Sequence, residues 1–269
     1  MDIILFICLF LTILITYLHI IKEYAYSTNL NIYEAEYIDN QNFQSICNLN
    51  QPFIMSLDIT CVYNIDKDSY LHVKDACDNE VVSISYGSLE NLIVQEKQYY
   101  SEKNNDFVMQ HLAENYTKCD DYLKPYMNLY TQYDYLFGSP NVNTNTKYHT
   151  SSRLFLYVKS GKIDVKFSCW NSKSLLEPFV DYEHLEFLSG KNLTELCDNV
   201  VSVTVGEGQI LFIPPWWFYG IKFIEKSEIF YFEYQTMLNF TLNSHHLCLH
   251  HLQKTNIHSQ VLEYAKNSI

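Results

Sequence analysis

The chain has 269 residues, enough for one sizeable globular domain with appendages, and 48% hydrophobic against 18% charged residues excludes an intrinsically disordered protein. A net charge of −13, with no run of Lys or Arg, excludes a protein that grips the nucleic-acid backbone by charge. Seven glycines and six prolines leave no collagenous or linker-like tract. Eight cysteines, at positions 8, 47, 61, 77, 119, 169, 197 and 248, show no C-x-x-C and no regular spacing, so no disulfide framework is expected. Setting Cys8 aside in its apolar segment leaves an odd number, which leans towards a reducing compartment.

The chain opens with a nearly unbroken apolar run from Ile3 to Ile21, long enough to cross a bilayer as a helix. A cleaved signal peptide is the rival, with Ala25-Tyr26-Ser27 as its cleavage site, and a buried soluble helix is a third reading. Only Asp2 precedes the run, where a signal peptide carries a basic segment, so an uncleaved anchor over residues 1–22 is expected. Lys22 follows the run and no basic side chain precedes it, which tilts the domain towards the cytoplasm.

Residues 23–50 are polar and Asn-rich and read as a stalk. Gln51–Leu57 reads as a short strand after a proline, and Glu80–Tyr86 as a second strand with period two. Leu89–Tyr116 is helix-compatible in pieces, with Phe107, Met109, His111 and Leu112 as core contacts. Leu136–Pro140 ends in turn residues. Lys147–Lys162 and Ile163–Trp170 read as a hairpin joined at Ser160-Gly161. Leu175–Leu196 leans towards helix, and Val200–Val205 is a strand.

The most informative stretch is Gly206–Phe223, a glycine-marked turn followed by the apolar residues Ile210–Ile213. Pro214 and Pro215 break the ladder, because a proline pair cannot sit inside a central strand. Past the break, a strand from Trp216 to Phe223 puts Trp217, Tyr219, Ile221 and Phe223 on one face. Glu228–Gln235 is a further strand, and Ser244–Asn267 reads as a helix with Leu247, Leu249, Leu252, Val261 and Leu262 as its apolar positions. Recurrent strands with turns between them suggest an antiparallel barrel or jelly roll over residues 51–240, followed by a helical segment over 241–269.

Two segments resemble the Jumonji (JmjC)/cupin-like family. Gly206–Gln209, Leu211–Pro215 and Trp217-Phe218 resemble the element that ends in the family's last metal-binding histidine, and that position falls on Tyr219. Lys147–Lys162 resembles the element with the first histidine and the acid, and these fall on His149 and Ser151. The resemblance covers about Pro52–Tyr234 and implies a mainly β fold, a double-stranded β-helix with flanking helices. The family's working members hold Fe(II) and 2-oxoglutarate. Their 2-oxoglutarate lysine falls on Ile163, with Lys162 adjacent but on the other face of the strand.

An iron oxygenase needs two histidines and a carboxylate on one face of the metal. Here Ser151 and Tyr219 replace two of them, so the resemblance implies a degenerate site, with His149 as a weak metal candidate and no cofactor expected. The pocket candidates are His149, Ser151, Lys162, Trp217 and Tyr219. His149 reads first as a hydrogen-bonded core histidine, and Tyr219 as a residue that fills the metal's space and bonds a neighbour such as His149. The aromatics Trp216–Tyr219 read as core before ligand cleft. The excess of Tyr, Asn, Ile and Lys fits an AT-rich genome, as in many giant DNA viruses. The expectation is a single-pass membrane protein with its domain on the cytoplasmic or virion-interior side, a non-catalytic binding or structural module. The sequence names no protein partner. The alternative is an active Fe(II)/2-oxoglutarate oxygenase with an unorthodox site.

His245, His246, His250 and His251 surround Cys248. His246 and His250 have the i, i+4 spacing of helical zinc sites, but without a third ligand they read as solvated or interfacial. Asn115-Tyr-Thr117, Asn192-Leu-Thr194 and Asn239-Phe-Thr241 fit the glycosylation pattern, which matters only for a lumenal domain.

Overall fold

The computed structural model describes residues 2–24, 30–57, 65–75, 81–89, 98–169, 180–181, 186–187, 193, 199–244, 248 and 251–252. Helices are α1 (Asp2–Tyr24), α2 (Asn40–Cys47), α3 (Asn105–His111), α4 (Ala113–Leu123) and α5 (Met237–Leu242). The strands of the amino-terminal half are β1 (Tyr33–Ala35), β2 (Phe53–Ser56), β3 (Tyr70–Asp75), β4 (Val81–Ser85), β5 (Tyr99–Ser101) and β6 (Asn128–Gly138). Then come β7 (Lys147–Tyr148), β8 (Arg153–Ser160), β9 (Lys162–Ser168), β10 (Val180–Asp181) and β11 (Glu186–Phe187). The last four are β12 (Val201–Gly206), β13 (Gln209–Ile213), β14 (Phe218–Phe223) and β15 (Ser227–Thr236).

These strands form a nine-stranded sheet, ordered β1-β2-β13-β8-β15-β6-β5-β3-β4, and a six-stranded sheet, ordered β10-β11-β7-β14-β9-β12. All strand pairs are antiparallel except β1 with β2. Leu154, Leu156 and Val158 of β8 meet Ile163, Val165 and Phe167 of β9 in the core between the sheets, with Tyr219, Ile221 and Phe223 of β14. Expected alternation along β14 therefore holds. The outer face of the nine-stranded sheet is also covered: Phe155, Phe212, Phe230 and Phe232 pack with Phe43 of α2, Phe107 of α3 and Tyr116 of α4. With both faces covered, β8 is buried from Arg153 to Val158, an almost continuous apolar run.

Several expectations need correction. β8 and β9 are not paired as a hairpin: β8 lies between β13 and β15, and β9 between β12 and β14. Alternation fixes which face a residue takes but not which strand it pairs with. Gly161 carries the chain from one sheet to the other at φ +83°, and a Cβ there would lie 2.2 Å from the Lys226 carbonyl oxygen. Residues 30–50, expected as a stalk, contribute β1 and α2 to the domain. Asp39 caps α2 by accepting the Asn42 amide at 2.7 Å, and Phe43 and Cys47 enter the core. Met109 is 57% exposed rather than a core contact. The strand expected from Trp216 begins at Phe218, because Trp216 takes a left-handed φ of +66° after the two prolines.

Helix α1 runs 23 residues, about 35 Å at 1.5 Å per residue. Its side chains are described over residues 3–17, all exposed and mostly apolar. Among the described residues no helix is long and apolar enough to cross a membrane. Most of 175–196 and of 244–267 lies outside the described residues. Within them, Val180–Asp181 and Glu186–Phe187 form two short paired strands, and residues 244, 248, 251 and 252 are helical.

Candidate functional site

β7, the turn over residues 149–152 and the start of β8 carry the chain across one end of the space between the sheets. His149, in that turn, clamps the proline break. Its Nε2 lies 3.1 Å from the Ile213 carbonyl oxygen, just before Pro214, and its own carbonyl accepts the Trp216 amide at 3.0 Å, just after Pro215. The ring is 2% exposed and its Nδ1 makes no hydrogen bond. Burial lowers the imidazole pKa, opposed by the nearby Glu233 charge, so the neutral ring is favoured.

Ser151 donates a short hydrogen bond to one carboxylate oxygen of Glu233, and Tyr231 donates to the other at 2.6 Å. Tyr219 stands beside Tyr231, and its ring meets the His149 ring edge-on with centroids 6.5 Å apart. Tyr219 thus meets His149 through its ring edge and not through the expected hydrogen bond. Burial, reinforced by Glu233, pushes both phenols well above their ordinary range, although Lys147 opposes the shift at Tyr219. Both rings remain protonated donors at neutral pH. Lys147, opposite Tyr219 in the ladder, is ion-paired to the buried Glu102, which Lys74 also approaches at 3.8 Å. Asp134 on β6 accepts the backbone amides of Lys103, Asn104 and Tyr135, fixing the loop that presents Glu102.

Of the pocket candidates, His149, Ser151 and Tyr219 come together. Lys162 does not: it is exposed at the start of β9, and Ser168, at the end beside Phe218 and Tyr148, lies about 20 Å further along the strand. Its neighbour Ile163 is sealed into the apolar core with Val205 and Phe223. Trp217 packs edge-on against Phe167, and its indole N–H finds no partner. The sequence reading missed Glu233, Tyr231, Glu102 and Asp134. A signal existed for the first two: in Glu228–Gln235, Tyr231 and Glu233 share the face opposite Phe230, Phe232 and Tyr234.

The donor set around His149 is one imidazole, one carboxylate from β15 and several hydroxyls. It does not fit Fe(II) held by two histidines and a carboxylate. Among the described residues, no three His, Cys, Asp or Glu side chains converge to hold a metal ion. Tyr231 and Glu233 are only half-buried, so the cluster offers hydrogen-bond donors and one carboxylate at the mouth of the inter-sheet space. On the other side of the 149–153 segment lies a cleft of about 410 Å³, floored by the buried Arg153, which donates to Gln44 at 2.6 Å.

Two glycosylation patterns are closed off. Asn115 and Asn239 are both 3% exposed, and the Asn239 side chain donates to the Thr150 carbonyl at 3.0 Å. Asn192 lies outside the described residues, as do His245, His246 and His250, whereas Cys248 and His251 are exposed. Compared with known proteins, the sequence matches no family model and no characterised protein.

Proposed function

We propose that the chain is a membrane-anchored cupin/JmjC-like domain with a degenerate metal site, working as a non-catalytic binding or structural module. The observation that carries this reading is the commitment of the three positions to one another and to the scaffold. The His149 ring bonds the Ile213 carbonyl, Ser151 bonds Glu233, and the Tyr219 ring packs edge-on against His149. The double-stranded β-helix is part of the proposal: β12, β13, β14 and β15 alternate between the two sheets, as strands of that fold do. So is the anchor, supported by the apolar run Ile3–Ile21 in the sequence and by the exposed apolar side chains of α1. The domain then lies on the cytoplasmic or virion-interior side of a single span.

A second reading, an Fe(II)/2-oxoglutarate oxygenase with unorthodox donors, is favoured by one observation: Glu233 brings a carboxylate to Ser151. Incubating the full chain with Fe(II), ascorbate and 2-oxoglutarate separates the two. The proposed reading expects no succinate above a protein-free control. Turnover that disappears in Glu233→Gln establishes the oxygenase instead.

A further inference from the structure

We infer that the surface made by residues 126–130 and α5 docks onto the lipid headgroup layer beside the anchor. Tyr126 is 72%, Met127 70% and Met237 57% exposed, and Leu129, Tyr130 and Phe240 are exposed with them. Met127 and Met237 adjoin: the Met237 amide donates to the Met127 carbonyl at 3.2 Å, and Asn128 pairs with Thr236 where β6 meets β15. Met237 and Phe240, three apart on α5, share a helix face. Apolar side chains gathered in this way on a soluble surface mark an interaction site, whereas single ones need no explanation.

The occupant follows from what adjoins the surface. Helix α1 packs against α5, so the medium around the exposed apolar side chains of α1 continues onto Met237 and Phe240. Charge agrees: residues 125–131 and 236–243 carry no charged side chain, in a protein of net charge −13 that anionic headgroups would otherwise repel. Tyr, Phe and Met are also the side chains suited to the boundary between headgroups and acyl chains. This inference rests on reading α1 as a membrane anchor.

Methionine oxidation tests it on the full chain, because the protein carries its own controls. Met109 on α3 is as exposed as Met237, while Phe107 of the same helix packs on Tyr135, away from the start of β6; Met55 is buried. The chain is placed in phospholipid nanodiscs at one copy per disc, exposed to a hydroxyl-radical pulse, and sulfoxide is read at each methionine. The inference expects Met127 and Met237 to oxidise several-fold more slowly than Met109, and Met55 to stay unreacted. Equal rates at Met109, Met127 and Met237 in the discs overturn the docking face while leaving the anchor intact. A chain that fails to enter discs and is stripped from vesicles by alkaline carbonate overturns both the anchor and the docking face.

Discussion

Ser151 and Glu233, 82 residues apart, are joined by a hydrogen bond from the serine hydroxyl to the carboxylate. Among the described residues, the Glu233 carboxylate is otherwise met by Tyr231 and by no cation. A charge held only by hydroxyls is stabilised by short-range donors more than by long-range Coulomb attraction. Ser151→Ala is expected to cost about 1 kcal/mol, read from urea unfolding of the full chain. Glu233→Leu is expected to cost more, because it strands the hydroxyls of Ser151 and Tyr231 at once. Equal costs for the two variants would contradict this picture.

The two left-handed glycines separate backbone strain from steric clash. Gly208, at φ +75°, has nothing within 4 Å of an added Cβ, whereas at Gly161 the Lys226 carbonyl oxygen blocks it at 2.2 Å. Gly208→Ala is expected to cost about 1 kcal/mol, the conformational strain alone. Gly161→Ala adds a backbone collision at the crossing between the sheets and is expected to cost several times as much. A thermal or chemical melt that ranks them equally would move the crossing elsewhere.

Asp134 gives stability a pH signature. Burial, opposed by the amides of Asn104 and Lys103, raises its carboxyl to about 6, above an ordinary value of 3.8. Between those values the folded chain binds more protons at this site than the unfolded chain does. Its contribution is therefore fully present below the lower value and lost as pH rises through the higher. His149 works in the opposite direction: its lowered pKa makes acid destabilising below the ordinary histidine value. Asp134→Asn removes only the first contribution. Relative to wild type, the variant is expected to lose stability progressively as the pH is lowered from 6 to 4, measured by unfolding at each pH. A constant difference across that range would show that Asp134 is not held protonated in the fold.

Much of the framework is legible in the sequence because burial writes itself into a strand's period. Alternation alone puts Trp217, Tyr219, Ile221 and Phe223 on one face, and the Pro214-Pro215 break marks where the preceding strand ends. Pairing is less legible: the step from β8 to β9 reads as a hairpin because Ser160-Gly161 is a turn sequence, and only tertiary packing sends its strands to opposite sheets. Residues 30–50 read as a stalk since their polar side chains outnumber Phe43 and Cys47, the two that decide where α2 docks. In the site, the neighbouring motif points to His149 and Ser151, but Glu233 lies on a strand with no motif. Its role depends on a contact across 82 residues that no local pattern encodes.

We propose that His149 clamps the proline break, through the Ile213 carbonyl and the Trp216 amide, and does not ligate a metal. The most direct test is calorimetric titration of Fe(II), and of Mn(II) as a redox-stable surrogate, into the full chain in nanodiscs at neutral pH. No stoichiometric binding is expected, since one buried imidazole already bonded to the Ile213 carbonyl, beside the hydroxyls of Ser151 and Tyr219, is too poor a donor set. Tight binding at one ion per chain, abolished in both His149→Ala and Glu233→Gln, would contradict it and make the cluster a metal centre.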